Sequence, residues 1–310
     1  MSGPSVVTIG NFDGLHAGHR HCVRRVVALA KEHGWTAAAV TFDPHPTQLV
    51  APLRAPLLLT TPQQRAALMR SEGIQEVVIL PFTKELSCLS PEEFVKTILV
   101  DRLNARMVLV GDNFRFGHRA AGHIDTLRSL GLQYGFAVEA TGAIQRRGRI
   151  VSSSEIRRLL LAGNVSLACR LLERPYAVEG RVVPGHGVGS KQTVPTLNLQ
   201  TDAEVLPANG VYITRTKDLQ ADRCWESITN VGFRPTFNGD ALTIETFLLS
   251  PLSDQPPSEI RVEFLRRVRE ERKFENPAAL KQQILKDVAR AQAYFRRVQR
   301  WSGTTKGCDP

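Results

Sequence analysis

No apolar run in this sequence approaches the roughly 20 residues that a helix needs to cross a bilayer, so no membrane partner is expected. The opening Met1-Ser2-Gly3-Pro4-Ser5 has neither the basic stretch nor the apolar stretch of a secretory leader, and a cytoplasmic protein is expected. Cysteine is sparse. Cys22, Cys88, Cys169, Cys224 and Cys308 are odd in number, scattered and free of CxxC spacing, which argues against a disulfide framework and a thiolate zinc site and for reduced thiols. Aromatic-rich RNA-binding patterns, helix-turn-helix patterns and zinc fingers are also missing. Despite the formal net charge of +10, no nucleic-acid partner is expected. Much of that excess lies in Arg266, Arg267, Arg269, Arg272, Lys273, Arg296, Arg297 and Arg300, which read as a solvated helix face. Phosphate-bearing small molecules account for local positive charge equally well.

With 42% apolar and 23% charged residues, the balance is that of a globular protein, and 310 residues suit two domains. No internal repeat or low-complexity segment is found. The first half alternates short β-branched runs (Val6–Ile9, Ala37–Phe42, Val77–Leu80, Met107–Val110) with helical stretches near residues 19–32, 64–71 and 91 onward. Ser90 and Glu93 stand at capping-box spacing at the start of the last of these. Strands separated by helices predict an α/β unit with a parallel sheet, whose ligands sit beyond the carboxyl ends of the strands. From Tyr176 the pattern changes to short extended runs punctuated by Gly, Pro, Asn and Asp, followed by a helix over about 277–301. That spacing predicts an antiparallel barrel or sandwich. The change near Glu173-Arg174-Pro175 places the boundary between domains 1–172 and 173–310.

The segment Gly10-Asn11-Phe12-Asp13-Gly14-Leu15-His16-Ala17-Gly18-His19 follows the first strand and opens a helix. Glycines at 10, 14 and 18 permit close backbone approach, and a helix N-terminus presents free N–H groups to phosphate. His16 and His19, three residues apart, can face one ligand and stabilise charge developing on phosphorus. Ser153 and Ser154 supply hydroxyls at a later helix start, with Arg157 one turn on. Asp13 and Asp43 fit magnesium or ribose contacts or loop capping, and the sequence leaves both open.

His16-Ala17-Gly18-His19 is similar to the HxGH motif of the nucleotidyltransferase superfamily. Within it, Gly10–His16 resembles the prokaryotic bifunctional riboflavin kinase/FAD synthetase family. Thr41–Pro46, Val110–Gly117 and Val151–Arg157 match further family stretches in family order, and the resemblance covers nearly the whole chain. It implies a Rossmann-like FMN adenylyltransferase domain followed by a β-barrel riboflavin kinase domain with a terminal helix. It further implies ATP, riboflavin and FMN as substrates and Mg²⁺ as cofactor. Carried onto this sequence, it implies His16, His19 and Arg157 as catalytic. Gly10, Asn11, Phe12, Asp13, Gly14, Gly18, Ser153 and Ser154 would contact ATP, and Asn113, Phe114, Phe116, Pro44 and His45 the flavin. Two departures stand out: Ser154 replaces the family threonine, and Ile150 stands where some members carry arginine, with Arg149 one residue earlier.

In the second domain a glycine-rich turn leads into Val194-Pro195-Thr196-Leu197-Asn198-Leu199. Exposed N–H groups at Gly185, Gly187 and Gly189, with Lys191, suit ATP phosphates. Thr196 and Asn198 alternate by two, so on a strand both oxygens face one side, as magnesium ligands require. The stretch resembles the family's PTAN motif. By the same resemblance Glu245 is the catalytic base for the riboflavin 5′-hydroxyl, and Arg234, in Asn230–Phe237, lies near the flavin or nucleotide. The family's glycine and phenylalanine before Pro195 are absent. An FAD synthetase with a weakened or inactive kinase module is therefore the alternative reading. A superfamily enzyme with another acceptor would lack the second domain's motifs.

Overall fold

The computed structural model describes residues 3–184, 196–236, 239–252, 255–272 and 274–302, with the side chains of 233–242, 301 and 302 left out. The chain divides into two compact units, Met1–Glu155 and Ile156–Pro310.

The first unit holds β1 (Ser5–Ile9), β2 (Thr36–Asp43), β3 (Glu76–Pro81), β4 (Ala105–Gly111) and β5 (Ala137–Thr141) in one parallel sheet of order β3-β2-β1-β4-β5. Helices α1 (Ala17–His33), α2 (Pro46–Val50), α3 (Pro62–Ser71), α4 (Lys84–Cys88), α5 (Pro91–Phe94) and α6 (Ile124–Tyr134) connect the strands, and α5 runs on as a π-helical stretch, Val95–Arg102. β1 is buried at every residue because both sheet faces are covered. Val6, Ala37, Ala39 and Leu109 pack on Cys22, Val23, Val26 and Met69. Val7, Val40, Val108 and Val110 pack on Phe94, Leu99, Leu127 and Leu130. Continuous β-branched runs are what a doubly covered parallel strand requires. The expected capping box is present: Glu93 Oε2 accepts from the Ser90 N–H at 2.7 Å. β5 and α6 are additions to what the sequence pattern predicted. Strand order reverses between β1 and β4, and a crevice opens at the carboxyl ends there.

A small hairpin, β6 (Gln145–Arg146) with β7 (Arg149–Ile150), precedes α7 (Ser153–Leu161), within which the two units divide. The second unit contains α8 (Val165–Leu172), β8 (Tyr176–Val183), β9 (Thr196–Gln200), β10 (Gly210–Asp218), β11 (Cys224–Thr236), β12 (Gly239–Leu248), β13 (Glu259–Arg269) and α9 (Pro277–Ser302). Its strands close an antiparallel barrel in the order β10-β11-β12-β9-β8-β13, which decides between the barrel and sandwich that spacing alone left open. Gly180 on β8 is required by the closure, since a Cβ there would lie 2.0 Å from the Gln200 carbonyl oxygen. α8 is pinned to β13 by Ser166 Oγ donating to the Leu265 carbonyl (3.1 Å) and Cys169 Sγ to that of Phe264 (3.2 Å). The second compact unit begins at Ile156, and α8 ends at Leu172. α9 lays Ala291 and Phe295 over Val211, Ile213 and Ile228, and its Asp287 accepts from Arg269 Nε at 2.8 Å. Cys22, Cys88 and Cys169 are free thiols, and Cys308 lies outside the described residues.

The barrel interior is partly polar. Thr214, Thr216, Ser227, Thr229 and Thr246 are fully buried, and their hydroxyls bond to one another at 2.8–3.0 Å. Each hydroxyl can both donate and accept, so Ser227, Thr214 and Thr229 each bond two neighbours and Thr216 and Thr246 end the row. Thr229→Val keeps the shape but leaves the Thr214 and Thr246 hydroxyls each short of a partner. It is expected to destabilise the second unit by about 1–3 kcal/mol, measured by denaturant unfolding.

Candidate functional site

His16 ends the loop after β1 and caps α1: its Nδ1 accepts the His19 N–H at 3.3 Å. That bond places the His16 proton on Nε2, where it remains a donor. The two imidazoles stack with centroids 3.6 Å apart and planes 15° apart, and Phe12 meets His19 edge-on at 5.2 Å. His19 Nδ1 is buried and has no partner among the described residues. Burial, and then the neighbouring His16 and Arg65, hold the His19 pKa well below its ordinary 6.5. At neutral pH His19 is therefore an uncharged imidazole.

The loop is held from beneath. The buried Asp13 carboxylate accepts the N–H groups of Leu59 and Thr60 and the Thr60 hydroxyl at 3.0–3.2 Å. Gly14 has φ 76° and donates its N–H to Thr60 Oγ1 at 3.0 Å, and a Cβ there would lie 2.7 Å from Leu59 Cδ1. Gly14 thus serves packing against residues 59–60 as well as backbone freedom. Arg65 on α3 donates from Nη1 to the carbonyls of Asn11 (2.7 Å) and Phe42 (3.4 Å) and to Thr41 Oγ1 (2.9 Å). At the start of α7, Ser153 Oγ donates to the Asp13 carbonyl at 2.8 Å, and Ser152 Oγ accepts the Glu155 N–H. Ser154 is exposed, and Arg157 stands one turn beyond Ser153 on the same helix. Arg149, whose register the family pattern put in question, pairs with Glu155 at 2.9 Å.

Beside this loop lies a cleft of about 510 Å³, lined by Gly10 and Asn11, by Phe42 near the end of β2, by Pro46 and Val50 on α2, by Phe82 after β3, and by Asn113, Phe114 and Phe116 after β4. Phe114 and Phe116 stack at 5.4 Å. Apolar walls with a few polar groups at one end suit a flat heteroaromatic ligand carrying a phosphate. Pro44 and His45 are not among the lining residues: His45 is buried and its Nδ1 caps α2 by accepting the Thr47 N–H.

In the barrel, Leu197 and Leu199 face inward, so Thr196 and Asn198 share the outer face. Glu245 on β12 stands directly opposite Asn198 on β9, and Asn230 on β11 directly opposite Glu245. Opposed residues of an antiparallel pair are about 5 Å apart. The register therefore puts Asn198, Glu245 and Asn230 in one row across three strands, with Thr196 two residues along. Gly185, Gly187, Gly189 and Lys191 lie outside the described residues, as does the side chain of Arg234.

Residues 1–155 match the model of the FAD synthetase family, and residues 172–295 that of the riboflavin kinase family. A curated relative from Pseudomonas fluorescens, a bifunctional riboflavin kinase/FMN adenylyltransferase, is 38% identical over 93% of this chain and 92% of its own. This chain belongs to that bifunctional family. A relative of the same description from Escherichia coli (strain K12) is 32% identical over 94% of this chain and 92% of its own. A crystal structure described as a macrolide-efflux protein from Streptococcus pneumoniae superimposes with a TM-score of 0.84, at 26% identity over 94% of this chain and 95% of that one. In this riboflavin kinase/FMN adenylyltransferase family member, no helix among the described residues is long and apolar enough to cross a membrane.

Of the residues expected at the family's adenylylation site, Gly10, Asn11, His16, Gly18, His19 and Ser153 converge at the strand ends. Phe12 is instead packed into the core, and Asp13 takes the loop-holding role of the alternatives left open. The sequence reading missed Arg65, an arginine inside a helix that carries no mark of burial. It also missed Phe82, although its place just past β3 follows the same strand-end rule.

The His19 pKa gives a test in pH. Because it is lowered in the folded state, the unfolded chain binds more protons, and stability falls as pH drops below about 6.5 toward the depressed folded value. The first unit is expected to melt at lower temperature on acidification from about pH 8 to about pH 5, with the decline starting near the ordinary histidine value. His19→Gln should make that slope shallower, measured by thermal unfolding across the series.

Proposed function

We propose that this chain phosphorylates riboflavin to FMN with its second domain, residues 173–310, and adenylylates FMN to FAD with its first, residues 1–172, using ATP in both steps. The observation that carries the reading is the convergence, at the carboxyl edge of one parallel sheet, of a histidine pair on a helix N-terminus with an aromatic cleft that shares Gly10 and Asn11. In the adenylylation step an FMN phosphate oxygen attacks the α-phosphorus of ATP, and the bond to the departing pyrophosphate breaks. His16 and His19 donate hydrogen bonds to the charge that develops there, aided by the free N–H groups at the α1 N-terminus. Ser153, Ser154 and Arg157 hold the ATP phosphates, and Phe114 and Phe116 hold the flavin ring, with Asn113 bonding its polar edge.

In the kinase step Glu245 accepts the proton of the riboflavin 5′-hydroxyl as its oxygen attacks the γ-phosphorus of ATP and the bond to the departing ADP breaks. Thr196 and Asn198 fit Mg²⁺ by their donor set, two neutral oxygens on one outer face beside a carboxylate, with ATP oxygens completing the shell. When bound, the ion neutralises phosphate charge. Every residue assigned to adenylyl transfer precedes the 172/173 boundary and every kinase residue follows it. We assign the protein to the cytoplasm, where ATP and flavins are available, with small-molecule substrates and no nucleic-acid partner.

The activity is tested by incubating the chain with riboflavin, ATP and Mg²⁺ and resolving FMN and FAD chromatographically. His19→Ala is expected to cut FAD formation from FMN by about 100-fold or more while riboflavin phosphorylation persists. Near-parental FAD synthesis by the folded variant would refute the role of His19.

Glu245→Gln is expected to show the converse, a loss of roughly 100- to 10,000-fold in phosphorylation with supplied FMN still adenylylated. Parental phosphorylation by that variant would make Glu245 a structural residue only.

A further inference from the structure

Arg65 is the one arginine or lysine among the described residues that is fully buried, at 1% exposure. Its Nη1 alone reaches three acceptors, on the loop after β1 and at the end of β2. Its Nε and Nη2 are buried with no partner among the described residues. Of the two carboxylates that favour its charge, Asp13 is occupied by Leu59 and Thr60, and Asp43 is exposed. A buried cation with donors unmet carries a desolvation cost that its hydrogen bonds offset only in part. Departures of this kind gather at functional sites.

We propose that Arg65 is a positioning residue for adenylyl transfer, clamping the Asn11 carbonyl to the end of β2 and holding a fixed positive charge against the loop that leads to His16. The inference rests on reading the first unit as the adenylyltransferase. Asn11 and Phe42, whose carbonyls Arg65 grips, both line the cleft, so the clamp sets the cleft's edge relative to the loop that delivers His16. The charge acts in the same place. It favours phosphate oxygens and opposes protonation of His19, whose lowered pKa it helps to maintain. Nothing in this arrangement calls for Arg65 to touch substrate.

The test uses the full chain carrying Arg65→Met or Arg65→Lys. Lysine keeps the charge and offers three N–H donors to the acceptors of Nη1. Arg65→Met is expected to lower kcat/KM for FAD formation by about 100-fold, and Arg65→Lys by less than about tenfold. Riboflavin phosphorylation by the same preparations should stay at the parental rate. The melting temperature of the first unit is expected to fall in Arg65→Met, because the Asn11 and Phe42 carbonyls and the Thr41 hydroxyl lose a donor, and to stay nearer parental in Arg65→Lys. FAD formation within about twofold of parental in Arg65→Met would overturn the inference. So would a loss of activity that tracks a lowered melting temperature and is not recovered by lysine, the signature of a structural strut. Failure of the parental chain to form FAD would overturn the adenylyltransferase reading, and this inference with it.

Discussion

β1 is buried along its whole length between β2 and β4, with helices on both faces, so no polar function can reside within it. The chain can present chemistry only where the strand ends, and the reversal of strand order between β1 and β4 opens room at that edge. The histidine pair and the aromatic cleft both follow from that constraint. His16 and His19 start the helix that leaves β1, while Asn113, Phe114 and Phe116 leave β4. Strands three places apart in sequence order deliver one site because the sheet makes them neighbours.

The loop that carries the histidines is built as much for internal support as for ligand contact. Asp13 and Gly14 bind residues 59–60, Phe12 packs under His19, and Ser153 grips the Asp13 carbonyl. A motif residue can thus be indispensable without facing a ligand. With the loop held this way, the backbone N–H groups of the α1 N-terminus and the His16 Nε2 proton are oriented before any nucleotide binds, which is the preorganisation that electrostatic catalysis relies on.

The barrel divides its labour by strand alternation. Its interior mixes Tyr212, Val231, Ile244 and Leu248 with a row of hydrogen-bonded threonine and serine hydroxyls. Its outer face on β9, β12 and β11 carries Asn198, Glu245 and Asn230 in register. A one-residue slip of β12 would send Glu245 inward and Thr246 outward, exchanging a reactive group for a structural one. The inward bonds of Thr246 and Thr229 thereby fix the register on which the outer row depends.

Much of this was legible in the residues themselves. Periodicity marked β1 to β4 and the later strands, because a covered parallel strand and an alternating barrel strand leave different patterns. Local chemistry marked the capping box at Ser90 and the histidine pair, because their partners lie within one helical turn. Strand spacing left barrel or sandwich undecided, since closure depends on β10 meeting β13, a pairing far apart in sequence. The roles of Asp13 and Phe12, the capping use of His45, and the burial of Arg65 were likewise settled only by tertiary structure. Each turns on a neighbour that is distant along the chain or on which way a side chain points. Local sequence determines which groups can form hydrogen bonds, whereas the packed fold decides which partners they meet.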